Sequence, residues 1–249
     1  MRYFLTFAYN GTPFHGWQRQ PNAISAQQTL EEALSTVLRE PIAITGAGRT
    51  DTGVHAQQMT AHFEATLSAA TEKNLVHLLN RFLDENIVVY SLKAVHDSAH
   101  ARFDAIARTY QYHLGVQKQP FKQGLQYVIP TALDFDKMQA AAQILLEYND
   151  FEAFAKHHSD VKTFLCDISF AGWERTDQGA IFTITANRFL RNMVRAIVGT
   201  LIEIGKGKLD TADMHRIIQS KERGKAGFSV PACGLYLTQV SYPDTIYIQ

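Results

Sequence analysis

The sequence predicts an α+β protein built as two tandem β-α-β-β-α-β halves. Three observations point there. Strand-like alternation opens each half, at residues 3–9 and 106–115. In each half an amphipathic helical stretch, a pair of strand patterns and a second helical stretch then follow. A further strand pattern closes each half, at 87–95 and 235–242. This order is the ferredoxin-like unit. Two such units imply subdomains over 1–103 and 104–249, with their sheets meeting at a central cleft.

The elements can be justified in turn. Tyr3, Leu5, Phe7 and Tyr9 share one face of the first strand. Ser25 precedes Gln28 by three residues, the spacing of a capping box. Leu30, Ala33, Leu34, Val37 and Leu38 then fall at helical spacing. Residues 41–46 and 58–65 read as strands around a polar, glycine-bearing loop. Thr71 is the expected cap of a second helix with Leu75, Leu78, Leu79, Phe82 and Leu83 on its apolar face. Ile87 to Val95 is rich in β-branched residues, which suit a strand.

In the second half, Asp134 precedes a helix carrying Phe135, Met138, Ala142 and Leu145 on one side. Strands are expected near 163–173 and 180–187, and a helix over 189–204. Asp210 is placed to cap a short additional helix. No residue-level repeat links the halves, so any duplication is architectural.

Composition narrows the class. The chain has 249 residues, 46% hydrophobic and 19% charged, enough apolar material for a sizeable core. Its apolar runs are too short to span a bilayer. The N-terminal residues lead straight into a strand pattern, without the apolar stretch and small-residue cleavage site of a leader. Cys166 and Cys233 have no paired spacing, which suggests neither a disulfide framework nor a zinc site. A reducing, cytoplasmic setting is the expectation. The ten histidines show no metal-ligand spacing.

The 24 basic and 24 acidic residues cancel, which argues mildly against a nucleic-acid binder. Residues 185–225, however, hold nine Lys or Arg against four Asp or Glu. Such a stretch is ordinarily a solvated face. With 100° per residue, Arg188, Arg191 and Arg195 lie within an arc of about 60° on the expected helix, away from Leu190, Met193, Val194, Ile197 and Leu201.

The most informative stretch is Gly46-Ala47-Gly48-Arg49-Thr50-Asp51-Thr52-Gly53-Val54-His55-Ala56. A guanidinium and a carboxylate sit two residues apart in a loop between strands, where catalytic side chains concentrate. The ordinary reading is an Asx-type turn with a solvated Arg49. A phosphate-binding loop fits poorly: no Gly-Lys-Ser/Thr ending is present, and no Gly-x-Gly-x-x-Gly opens a helix.

The nine residues Gly48 to Ala56 closely resemble the catalytic loop of the TruA family of tRNA pseudouridine synthases. The resemblance extends along most of the chain. Tyr9-Asn10-Gly11-Thr12 and Phe14 to Gln20 are similar to that family's N-terminal signature. Arg108 to Tyr112 is similar to its tyrosine motif, Phe189 to Gly199 to its second-domain helix, and Gly234-Leu235-Tyr236-Leu237 to its C-terminal signature. The match is weakest from 115 to 180. There Asp150, Phe151 and Phe154 fit, whereas Lys156-His157-His158-Ser159 does not align and would shape RNA contacts particular to this chain.

The resemblance implies an isomerase that detaches uracil from ribose at N1 and rejoins it through C5. No group is gained or lost, so no cofactor and no metal are expected. Asp51 would be the catalytic carboxylate, a nucleophile or a base at the sugar. Arg195 would hold it ionised, with Arg188 and Arg191 on phosphates.

Tyr110 would stack on the target uracil and assist proton transfer; by strand alternation alone, Tyr110 and Tyr112 are core residues. Arg49 would help displace the base or hold its backbone. Leu235 would join the substrate-binding group. His55 is better placed to shape the loop than to form a catalytic dyad, and Trp17 and Trp173 are packing residues. The family further implies a homodimer acting on uridines 38, 39 and 40 of the tRNA anticodon stem-loop. Other tRNA uridines, a non-catalytic tRNA-binding protein and a nucleotide-binding phosphate loop are the competing readings.

Overall fold

A computed structural model describes residues 1–156 and 162–248. It is a mixed α+β protein with five α-helices among the described residues. The chain folds as two compact units, residues 1–107 with 236–249, and residues 108–235.

The first unit is organised around β1 (Arg2–Tyr9). It pairs antiparallel with β3 (His55–Glu64) on one side and β4 (Ile87–Val95) on the other. A two-residue strand, β2 (Thr45–Gly46), lies antiparallel to β3. It is shorter than the expected 41–46. β9 (Leu235–Ser241) returns to this unit and pairs in parallel with β3 through His55–Tyr236 and Ala56–Leu237.

β1 is paired along both edges, and side chains on both of its faces are buried: Tyr3, Phe4, Leu5, Phe7 and Tyr9 are all within the core. Leu30, Ala33 and Leu34 of α1 (Ala26–Leu38) and Leu75 and Leu79 of α2 (Ala69–Phe82) are buried in the same unit.

The caps refine the sequence expectations. Ser25 Oγ accepts from the Gln28 N–H at 3.2 Å, capping α1. The Gln28 side chain turns instead to Glu32, at 2.9 Å, so the reciprocal half of the box is not made. Ser68, not Thr71, caps α2: its Oγ accepts from the Thr71 N–H at 3.2 Å, which makes Thr71 the third helical residue. A serine just outside the first helical residue can satisfy an orphan N–H that a residue already inside the helix cannot.

In the second unit β5 (Ala107–Gly115), β8 (Gly179–Ala186) and β7 (Ile168–Thr176) form an antiparallel set with β8 in the middle, and β6 (Tyr127–Val128) runs parallel to β5. α3 (Phe135–Ile144) is capped by Asp134, as its sequence predicts. It also covers backbone groups of β7. Gln139 Oε1 accepts from Trp173 N–H and Gln143 Nε2 donates to Ala171 O, each at 2.7 Å. Satisfying those groups from a helix removes a template for unwanted strand pairing.

α5 (Thr211–Ser220) starts with the Asp210–Asp213 capping box. α4 (Met193–Gly205) is buried along almost its whole length. It begins four residues later than expected, because Asn192 adopts a left-handed conformation with φ of 67°. Asparagine is one of the few residues with a side chain that tolerates it. Cys166 and Cys233 are free thiols, and burial pushes Cys166 up to about 11. Among the described residues no helix is long and apolar enough to cross a membrane.

One buried histidine gives the first unit a pH dependence. His62 on β3 is 8% exposed, and its Nδ1 accepts from the Ala101 N–H at 3.1 Å. That bond requires the neutral ring. Burial, then His100 and Arg2, hold His62 down at about 4, against the opposing pull of Glu64 and Asp104. The unfolded chain, titrating near 6.5, takes up this proton first as pH falls. The contribution is therefore complete above about pH 6.5 and lost between there and about pH 4. Urea unfolding should show a lower midpoint at pH 5 than at pH 7.5, and His62→Gln should shrink that difference. An unchanged difference in the variant would assign the effect to other groups.

Candidate active site

The stretch from Ala47 to Val54 has no regular structure of its own, so its shape comes from what it rests on. Ala47 N–H donates to Thr60 O at 2.8 Å, anchoring one end to β3. Val54 N–H donates to Asp51 O at 3.1 Å, with Gly53 at φ 77°. The turn carrying Asp51 is thus closed by main chain, with glycine at the position that needs positive φ.

Residues 9–17 support the loop from beneath. Tyr9 Oη and Thr50 Oγ1 are 2.8 Å apart, and Trp17 N–H donates to Thr50 O at 3.1 Å. Gly11 N–H donates to His55 Nδ1 at 3.0 Å. Gly16 has φ of 83°, and a Cβ there would lie 2.6 Å from the Thr50 carbonyl oxygen. Trp17 is 3% exposed, stacked against Phe7 at 5.5 Å between ring centroids.

His55 is 2% exposed and stacked on Tyr236 at 4.6 Å. Its Nδ1 is an acceptor for main chain, which fixes the Nε2–H tautomer. It therefore shapes the loop end. On this base Asp51 is half-buried and Arg49 is exposed.

The second unit holds the remaining candidates. Tyr110 and Tyr112 share a face of β5 but differ in environment. Tyr112 is wholly buried; its hydroxyl donates to Pro231 O at 2.7 Å, and burial raises its pKa. Tyr110 is only half-buried and meets Phe189 edge-on, with centroids 5.2 Å apart and planes at 87°. Arg195 is on α4, half-buried, with Nε donating to Val230 O at 2.7 Å. Leu235 is 6% exposed.

Arg188 and Arg191 precede α4 rather than lying on it, so the expected helical stripe of three arginines is not formed. Arg188 reaches Thr163 O at 3.4 Å, and Arg191 is exposed. The surrounding basic stretch is also less available than its sequence suggests. Lys206 and Lys208 pair with Glu203, Arg216 with Asp210 and Asp213, Lys221 with Asp150, and Lys225 with Glu222. His157, His158 and Ser159 lie outside the described residues. Among those described, no group of three or more His, Cys, Asp or Glu is placed to hold a metal ion.

Sequence reasoning missed the supporting roles of Tyr9, Gly16 and Trp17. The signal available for them was a cluster of Gly and aromatic residues after the first strand, which spacing alone does not tie to residues 50–55.

Comparison with known proteins identifies the family. The family model for tRNA pseudouridine synthase matches residues 5–104 and 141–243. A protein of Porphyromonas gingivalis named tRNA pseudouridine synthase A is 50% identical over 250 residues, covering 99% of each chain. A Bacteroides fragilis protein of that name is 50% identical over 247 residues, covering 99% of this chain and 98% of its own. One from Acetivibrio thermocellus is 39% identical over 240 residues, covering 96% and 98%.

The support from residue 16 can be tested. Gly16→Ala places a Cβ against the Thr50 carbonyl in a backbone conformation alanine disfavours. The expected outcome is a cooperative fold with a changed environment around Trp17, seen as altered tryptophan fluorescence and faster proteolysis at 47–54. Unchanged fluorescence and cleavage would show that the loop does not depend on this contact.

Proposed function

Since this chain belongs to the tRNA pseudouridine synthase family, we propose that it isomerises uridine to pseudouridine at positions 38, 39 and 40 of the tRNA anticodon stem-loop. The observation that carries this reading is the Asp51 loop, a half-buried carboxylate on a main-chain turn braced by a second segment. A binding protein has no need of that arrangement.

The chemistry suits these residues. The N1–C1′ bond breaks and a C5–C1′ bond forms. The C5 proton leaves and N1 gains one, so the atoms balance without a co-reactant. The Asp51 carboxylate acts at the sugar, as nucleophile or as base, and either role needs it ionised. Arg195 is taken as the cationic partner in the reaction. Tyr110, half-buried beside Phe189, presents a ring face on which an extruded uracil stacks.

Tyr110 falls outside the two spans matched by the family model but within the near full-length alignments to relatives. Arg49, exposed at the loop, fills the space the base leaves or grips its backbone. Arg188 and Arg191 hold phosphates, and Leu235 packs against the base.

The reading includes the finer architecture. Each half is taken as a ferredoxin-like subdomain, with Asp51 and Arg49 carried by the first and Tyr110 and Arg195 by the second. Two copies of the chain form the active dimer, in the cytoplasm. The β-α-β-β-α-β order of residues 2–95, with β1 between β3 and β4, supports the first subdomain.

The test uses purified protein and an unmodified tRNA transcript with uridine at 38, 39 or 40. Carbodiimide labelling and primer extension map the product. Pseudouridine should appear at those positions, and Asp51→Asn should abolish it while leaving tRNA binding largely intact. Normal activity in that variant would remove Asp51 from the chemistry. Product at other uridines would replace the positional assignment.

Arg191→Ala should weaken all tRNAs alike and lower the slope of log affinity against log salt by about one. Loss confined to one tRNA would mark Arg191 as a base reader instead.

A further inference from the structure

Arg223 is a half-buried cation that the reaction as described does not use. It follows α5, and its guanidinium donates to neutral oxygens: Gly227 O at 3.0 Å, Ser229 Oγ at 3.0 Å and Ala226 O at 3.5 Å. Among the described residues no carboxylate pairs with it. Burial lowers its pKa, so its charge is held at a cost that a surface arginine does not incur. Such a residue is expected to confer geometry rather than stability.

The geometry concerns the segment 226–231. Gly227 N–H donates to Thr200 Oγ1 at 2.8 Å. Phe228 O sits so close to Gly199 that a Cβ there would be 1.7 Å away. Ser229 Oγ accepts from Asn192 Nδ2 at 2.6 Å as well as from Arg223. Tyr112 Oη donates to Pro231 O.

Between these fixings lies Val230. Its N–H donates to Arg195 O at 3.2 Å, and its carbonyl accepts from Arg195 Nε at 2.7 Å. A carbonyl that accepts from Nε–H restrains the orientation of the guanidinium, because all its donors are coplanar. The Arg195 head group is therefore oriented by a carbonyl whose own position is set by neighbours on both sides.

We propose that Arg223 is a positioning residue for the isomerisation: through Ser229 and the Val230 carbonyl, it sets the direction in which Arg195 presents its guanidinium. This rests on the assignment of Arg195 to the reacting site.

The experiment compares single-turnover rates and tRNA affinities of the full-length protein. Arg223→Met keeps the aliphatic stem and removes the donors. Its rate should fall by about 10- to 100-fold, the scale of a misaligned group, with tRNA affinity unchanged. Ser229→Ala, a milder change less able to disturb folding, should show a smaller loss of the same kind. Arg223→Lys should recover part of the rate.

In an Arg195→Lys background, where no guanidinium remains to be oriented, Arg223→Met should cost at most about twofold, because coupled residues do not add. A wild-type rate in Arg223→Met overturns the proposal. So does a loss that appears in affinity, as a phosphate contact would give, or losses that multiply in the double variant, as general destabilisation would give. Full activity of Arg195→Ala would instead overturn the assignment of Arg195 itself.

Discussion

The hydrogen bond from Trp17 N–H to Thr50 O, with the Tyr9–Thr50 hydroxyl contact beside it, is the constraint on which the Asp51 loop depends. A loop without regular structure must find partners for its main chain elsewhere. Here one segment, residues 9–17, provides them, and it is the direct continuation of β1. Since β1 is flanked on both edges by β3 and β4, the loop is tied to an interior strand of that unit. The positive φ of Gly16 lets the segment come within contact distance of residue 50. In the proposed reaction, a carboxylate that must meet a sugar carbon within a few tenths of an ångström gains from a support that cannot drift.

The second unit solves the same problem differently. Arg195 is on a helix, already rigid, but a guanidinium on a flexible stem is not fixed by its Cα alone. The 226–231 segment restrains the head group through Val230 O. Both arrangements rely on neutral oxygens and main chain rather than on ion pairs. Ion pairs do occur nearby, among Glu203, Asp210, Asp213 and their lysines and arginines, but they keep partial or full access to solvent and contribute little. Their main effect is to remove basic residues from the pool able to meet phosphate.

Much of this was legible in the sequence. The order of elements, the Asp134 and Asp210 caps and the Ser25 cap all follow from local chemistry that acts within four residues. The identity of the Asp51 loop was legible through its residue string. What could not be read were features decided by tertiary partners. The apolar spacing of 190–201 continues a helical period through Asn192, yet the left-handed turn there, bonded to Ser229 37 residues away, starts α4 at 193 and takes Arg188 and Arg191 off the helix. The same holds for β9, whose parallel pairing to β3 rests on two residue pairs separated by about 180 positions in sequence. Tyr110 and Tyr112 alternate identically in sequence. Tyr112 lies against the 231–234 segment, with its hydroxyl on Pro231 O, and is a core residue, whereas Tyr110 is half-buried.

A chain of zero net charge that acts on a polyanion also follows from these features. Strong electrostatic attraction would lower the energy of bound substrate and of the transition state alike, and so would not speed the chemical step. It would also slow release of a product that carries the same phosphates as the substrate, since isomerisation leaves the RNA charge unchanged. The useful binding energy is that realised only when the base has left its sugar. In the proposed reaction that energy comes from a few oriented groups, Asp51 on its braced turn, the Arg195 guanidinium and the half-buried Tyr110, and none of them requires the rest of the surface to be basic.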